Sequence, residues 1–205
     1  MKSGRIVKLA LPLVLTVLLT GWTGNWESIQ DSMRGIESIQ AEFVQTKELR
    51  ILSKPLVSRG RFYYRSPDNL RWEYIEPIKT ALLLHNGKAK RFMWHNGAFV
   101  EDASANLEPP RIVMQQIIGW LNADFKGGDV FGAELLQTDP AQIVLTPQDA
   151  AIGQFIERVI ITLSETPGII ESITIQEQGD ASTRIEFQDV ILNQDIADET
   201  FRRIK

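Results

Sequence analysis

Alternation of apolar and polar residues in short, closely spaced segments is the feature that most restricts the fold of this chain. Ile39, Ala41 and Phe43 alternate with polar residues, and this two-residue period is that of a β-strand with one buried face. Further segments follow at about residues 56–65, 70–75, 80–85, 89–94 and 98–100. Asn86-Gly87 separates two of them, as in a tight hairpin turn. The spacing predicts an antiparallel meander rather than parallel strands linked by helices.

Strand signals return in the second half of the chain and continue almost to its end. The predicted strands cover about residues 131–137, 142–146, 155–163, 169–176 and 183–188. Phe201 follows them as a late apolar anchor. No repeat or linker divides the chain, so the sequence predicts one domain over residues 25–205 with a single large antiparallel sheet.

Two segments have helical spacing instead. The first follows Asn25, a helix-capping residue type, and places Trp26, Ile29, Met33 and Ile36 on one stripe. The second follows Pro109-Pro110, and its apolar residues are Ile112, Val113, Ile117, Trp120 and Leu121. A sheet of roughly ten strands twists and curls. Helices over its concave face would either complete an ordinary core or cover an apolar cavity, and periodicity favours the ordinary core.

The first 24 residues have the pattern of an export signal. Lys2, Arg5 and Lys8 precede the apolar run at residues 9–19, which is short for a membrane span. A cleaved signal peptide at residues 1–24, with no clear cleavage site, is favoured over an uncleaved anchor. The chain has no cysteine, so no disulfide supports the fold, and a lipidation cysteine is absent after the apolar run.

Charge and motifs restrict the function. Without the three basic residues of the leader, 19 basic and 26 acidic residues remain, a net charge of about −7 with no long basic block. Such a balance argues against nucleic-acid binding. His85 and His95 lie beside predicted turns, and no nucleophile, phosphate-loop or metal-ligand motif is present. The sequence therefore predicts a protein that is not an enzyme and needs no cofactor or metal.

One stretch is more specific than the periodicity. Residues 60–77, GRFYYRSPDNLRWEYIEP, resemble the signature segment of the outer-membrane lipoprotein carrier family (LolA-type). Phe43-Val44-Gln45, Asn86-Gly87-Lys88 and the Leu-Thr-Pro at residues 145–147 resemble further family motifs in the same order. The resemblance covers much of the chain after the leader.

This resemblance implies a fold, a site and partners. The fold is mainly β (α+β): one curled antiparallel sheet of about eleven strands, an incomplete β-barrel covered by a lid of short α-helices. The implied function is a monomeric periplasmic carrier, which takes lipoproteins from an inner-membrane ABC-type transporter and delivers them to an outer-membrane acceptor. The cavity wall would comprise Phe43, Phe62, Tyr64, Leu70, Trp72 and Tyr74. The lid would comprise Met33, Ile36, Ile112, Val113, Ile117, Trp120 and Leu121.

The chain departs from the family pattern beside the predicted turn at residues 66–69. Members usually have an arginine directly before the turn proline, where it contacts the lid. Here that position is Ser66, and Arg65 precedes it. A shift by one residue along a strand reverses the face on which a side chain lies. Arg65 and Ser66 are therefore both candidates for the lid contact. Lys90 and Arg91 stand where members often have apolar residues. These departures leave open a carrier of another amphiphile, such as a glycolipid, or a lipoprotein-sensing module.

Overall fold

The computed structural model describes residues 26–104, 107–125, 130–136 and 138–204. The predicted signal peptide and the capping residue Asn25 lie outside these ranges. The helices are α1 (Trp26–Met33), α2 (Glu108–Leu121), α3 (Ala150–Gly153) and α4 (Glu199–Arg202). The strands are β1 (Ser38–Glu48), β2 (Leu56–Arg65), β3 (Asn69–Glu76), β4 (Thr80–His85), β5 (Lys88–His95), β6 (Ala98–Glu101), β7 (Phe131–Leu136), β8 (Gln142–Pro147), β9 (Ile156–Leu163), β10 (Ile170–Glu177) and β11 (Ala181–Leu192).

All eleven strands belong to one antiparallel sheet, in the order β6-β5-β4-β3-β2-β1-β11-β10-β9-β8-β7. It consists of two meanders, β1–β6 and β7–β11, which meet where β1 pairs with β11. The edge strands β6 and β7 are not paired with each other, and α2 is the connection between them. The predicted fold class, an unclosed antiparallel sheet with a few short helices, is confirmed.

One face of the sheet, here called the inner face, forms the main core with the helices. Its rows of apolar side chains come from both meanders, as in Phe43, Leu145, Val159 and Ile173. The buried residues of α1 and α2 belong to the same cluster. Burial of this apolar surface is the main source of stability in a chain without cysteines.

A smaller apolar cluster lies on the opposite, outer face. Ala81 and Leu83 of β4 are almost completely buried there, as are Ile196 and Phe201 of the C-terminal segment. This segment, residues 193–204, ends in α4, which packs against β3 and β4. Phe201 is thus buried late in the chain, where an anchor was predicted.

Several local predictions need correction. Ile36 does not lie on the first helix, because α1 ends at Met33 and Gly35 takes a positive φ of 94°, which terminates a helix. The short helices α3 and α4 were not predicted. Strand β11 continues four residues beyond its predicted end at Gln188, since it pairs with β1 as far as Leu192.

Candidate functional site

Three rows of side chains cross β1, β2 and β3 on the inner face. In order along β1, the rows are Ile39–Tyr64–Leu70, Ala41–Phe62–Trp72 and Phe43–Gly60–Tyr74. The strand register therefore brings together the six residues predicted to line a cavity wall. All of them except the half-buried Tyr74 are buried.

An aromatic cluster forms the centre of this face. The Phe43 and Trp72 ring centroids are 4.8 Å apart, and Phe62 lies 5.4 Å from Trp72 and 5.6 Å from Phe187 of β11. Gly60 makes room for it: a Cβ there would lie 2.4 Å from Cζ of Phe43 and 2.1 Å from a backbone oxygen of β3. Sequence reasoning missed Phe187, because local alternation does not reveal that β11 pairs with β1.

Polar groups follow the aromatic rows towards the far ends of β1 and β3. The hydroxyl of Tyr74 donates a hydrogen bond to Oε1 of Gln45 at 2.8 Å, and burial raises the pKa of Tyr74. One step further along β1, Nζ of Lys47 lies 3.0 Å from Oε2 of Glu177. These residues bound the apolar region on the side opposite α1.

Helix α2 covers part of the inner face with one apolar side. Its buried residues are Met114, Ile117, Ile118, Trp120 and Leu121. Val113 is 53% exposed on the outer side of the helix. Ile112 lies within α2, but its side chain is outside the described part of the structure. From α1, Met33 is buried in the same core, and Ile36 packs against it from the turn that follows.

A side-chain hydrogen bond fastens the C-terminal end of α2 to the sheet. The buried hydroxyl of Tyr64 donates to Oδ1 of Asn122 at 2.9 Å, and Nδ2 of Asn122 donates to the carbonyl oxygen of Ile118 at 2.9 Å. Burial raises the pKa of Tyr64, opposed by the hydrogen bonds with Ser66 and Asn122. Tyr64 therefore belongs to the predicted wall and also attaches α2 to the sheet.

The apolar interior is closed in this structure. A cavity of about 20 Å³ lies between the sheet and the helix, and its lining includes Ile39, Ala41, Phe62, Leu121 and Phe187. Such a volume holds about one water molecule, whereas pockets for small molecules are about 300–1,000 Å³. In this form the described part of the inner face is a packed core.

Arg65 points to the outer face, as its position one residue from Tyr64 requires. Its guanidinium group donates to the carbonyl oxygen of Ile196 at 2.9 Å and to Oδ1 of Asp198 at 2.5 Å. It also lies 5.0 Å from the ring centroid of Phe201. The hydrogen bond from Arg65 lowers the pKa of Asp198. Arg65 thus holds the C-terminal segment, on the side of the sheet away from α2.

Ser66 is exposed at the turn after β2. Its backbone N–H donates to the carbonyl oxygen of Glu37 at 2.8 Å, which joins the turn to the start of β1. A lid contact through Ser66 therefore stays a prediction.

Strand β5 places a cation on the inner face. Arg91 stands opposite Leu82 in the row that begins with Ala41, and its guanidinium group pairs with Oδ2 of Asp102 at 2.8 Å. Its Nε is buried and makes no hydrogen bond within the described residues. Lys90 faces outward and pairs with Glu101 at 2.8 Å. The sequence singled out this position only as a departure from the family pattern.

Comparison with known proteins identifies the family. A family model described as outer membrane lipoprotein carrier protein LolA matches residues 34–204. The chain belongs to this family. The family resemblance found in the sequence is therefore confirmed, and family membership supports a role in binding lipid or lipoprotein rather than catalysis. No curated protein matches the sequence.

Solved structures resemble this one at low sequence identity. An uncharacterized conserved protein from Thermus thermophilus is 6% identical, with a TM-score of 0.51 over 87% of this chain and 91% of that one. A LolA superfamily protein from Nitrosomonas europaea is 12% identical, with a TM-score of 0.43 over 86% and 94%. MucB of Pseudomonas aeruginosa, solved in complex with MucA, is 13% identical, with a TM-score of 0.48 over 86% and 59%. No helix in the described ranges has both the length and the apolar character needed to cross a bilayer.

Proposed function

We propose that this protein is a non-enzymatic periplasmic carrier, which shields the acyl chains of lipoproteins between the inner face and α2. The observation that carries the proposal is the continuity between the aromatic rows on β1–β3 and the apolar side of α2. The role of each wall and lid residue is part of this proposal. In it, the chain is exported by its N-terminal signal and acts as a monomer. It receives cargo from an ABC-type transporter and passes it to an outer-membrane acceptor.

The energetics suit reversible sequestration. Each buried methylene contributes roughly 0.8 kcal/mol, so a dozen contribute about 10 kcal/mol. Displacing α2 from the packed core offsets part of this gain. When only a small fraction of the molecules is open, the apparent affinity is lower than the intrinsic affinity by that fraction. The Tyr64–Asn122 hydrogen bond is one contribution to that cost. A carrier needs such a free-energy cost, opposed to the gain from burying acyl chains, in order to release its cargo.

Site-specific photocrosslinking in cells tests the proposal. A benzophenone amino acid replaces Phe187 on the inner face, and in a matched control it replaces Tyr63, which faces outward beside Arg71. We expect the label at position 187 to crosslink lipoproteins, which mass spectrometry identifies, and the label at position 63 not to do so. Absence of lipoprotein crosslinks at position 187 in a folded, exported chain would refute the carrier function. Equal crosslinking at both positions would refute the site.

A carrier of another, anionic amphiphile is the second candidate, and Arg91 is the observation that favours it. Its buried Nε lacks an acceptor among the described residues, on a face that is otherwise largely apolar, and an anionic head group would supply one. Lipid extracted from the purified protein separates the candidates: glycolipid or phospholipid, without lipoprotein crosslinks, supports the second. Arg91→Met should then reduce retention of the anionic lipid, while Lys90→Met, on the outer face, should not.

A further inference from the structure

The two ends of the sheet differ in their exposed side chains. The distal end is defined here by the β1–β2, β3–β4, β5–β6, β8–β9 and β10–β11 connections, and the opposite end is the one at which α1 leads into β1. Exposed apolar side chains of the distal connections and adjoining strand ends include Ile51, Leu52, Leu56, Val57, Ile78 and Phe155. Among the described residues of the connections and adjoining strand ends at the opposite end, Ile191 of β11 is the one exposed large apolar side chain. Apolar exposure of this kind commonly marks an interaction surface.

The β1–β2 connection is the most pronounced part of the distal end. Ile51 is 89% exposed. The connection, residues 49–55, has two charged residues, the exposed Arg50 and Lys54, and no acidic one, although the whole chain is acidic. Arg50 reaches only Asp180 among the described residues, at 3.7 Å, with both side chains largely exposed. The connection thus combines apolar side chains with cations that are accessible to solvent.

This combination fits the interface of an anionic bilayer. Apolar side chains enter the boundary between head groups and acyl chains, while lysine and arginine extend their charges to the head groups. The apolar residues come from separate connections rather than from one groove. A fluid bilayer can accommodate several such loops without a shape-matched pocket, whereas a protein partner needs matching surfaces.

We infer that the distal end docks on anionic phospholipid. Ile51 and Leu52 enter the interfacial layer, and Arg50 and Lys54 contact the head groups. The acidic remainder of the chain is repelled by the same surface, so the protein is oriented with its β1–β2 connection towards the membrane. This docking does not depend on which cargo the inner face carries.

A local fluorescent label tests the docking in the full, exported protein. Because the chain has no cysteine, Ile51→Cys gives a unique attachment site for an environment-sensitive fluorophore. Ile191→Cys is the matched control, an exposed apolar position on β11 near the opposite end. With vesicles of phosphatidylcholine and phosphatidylglycerol, we expect a blue shift at position 51 and quenching there by brominated acyl chains. Neither should occur at position 191 or with pure phosphatidylcholine.

Charge reversal tests the electrostatic part of the inference. Lys54→Glu is compared with Lys88→Glu, an equal change of charge on an exposed lysine at the opposite end. A basic residue near an anionic surface contributes about fivefold to binding, so we expect Lys54→Glu to weaken vesicle binding by about fivefold or more and Lys88→Glu to change it little. Equal effects of the two variants, or equal label responses at positions 51 and 191, would overturn the inference. So would a response at position 51 that requires membrane proteins in the vesicles, because the distal end would then bind a protein.

Discussion

Removing the hydroxyl of Tyr64 should loosen α2 without disturbing the apolar wall. Tyr64→Phe keeps the buried ring and deletes the hydrogen bond to Oδ1 of Asn122. A neutral hydrogen bond contributes about 1 kcal/mol net. Asn122 is exposed, so water replaces the lost donor and no desolvation penalty is added. The free energy of opening should therefore fall by about 1 kcal/mol, which raises the open fraction about fivefold.

Stopped-flow uptake of a fluorescent fatty acid measures this change. If entry requires α2 to move, the uptake rate at low ligand concentration should rise up to about fivefold, and the apparent dissociation constant should fall. Tyr63→Phe is the matched control, because Tyr63 is the neighbouring tyrosine on the outer face, 5.7 Å from the guanidinium carbon of Arg71. An unchanged uptake rate in Tyr64→Phe, with a lowered melting temperature, would refute gating by this bond. An equal increase in Tyr63→Phe would attribute the effect to general loosening.

Three further predictions concern the wall and the C-terminal segment. Gly60→Ala should lower the melting temperature and weaken fatty-acid binding, because the added Cβ would collide with Phe43 and the β3 backbone. Overpacking of this kind costs about 1–3 kcal/mol of stability. An unchanged melting curve would contradict the close approach of Phe43 to Gly60. Arg65→Leu should leave uptake of the fluorescent fatty acid nearly unchanged while exposing the C-terminal segment to carboxypeptidase, whereas Ser66→Arg should slow uptake; the opposite pattern would show that Arg65 controls the lid. The stability contributed by Asp198, whose folded-state pKa is lowered, is present above its unfolded pKa and lost as pH falls through the folded value. The protection of residues 196–203 against hydrogen exchange, relative to the unfolded chain at the same pH, should therefore fall below about pH 4 in the wild type and be low at every pH in Arg65→Leu.

The inner-face residues were predictable because strand periodicity assigns faces locally. Once residues 39–43 and 70–74 are strands, Phe43 and Trp72 must share a face with their alternate neighbours, and the hairpin turn fixes how adjacent strands pair. By the same rule Arg65, one residue from Tyr64, lies on the face away from α2. The register then brings these residues together over β1–β3.

Long-range features were not predictable from local pattern. Phe187 joins the aromatic cluster only because β11 pairs with β1. Leu83 is buried on the outer face because the C-terminal segment folds back over β4, and Ile36 leaves the helix because Gly35 turns the chain. The closed state of the interior is likewise a property of the packed whole, since the same apolar residues are compatible with an open cavity or a filled core.

The pairing of β1 with β11 determines when the protein can complete its fold. The centre of the sheet joins Ile39 to Leu192, so it cannot form until the last strand has emerged. Contacts between residues so far apart in the sequence make folding slow, because the entropic cost of closing the loop between them must be overcome before the contact forms. A chain that emerges with its N-terminus first can form the β1–β6 meander alone. In that intermediate Phe62 and Trp72 are exposed on one side, and the edge of β1 that pairs with β11 has no partner. An exposed apolar face and an unpaired strand edge both favour aggregation, so we expect the chain to be most prone to aggregate before its final strand completes the sheet.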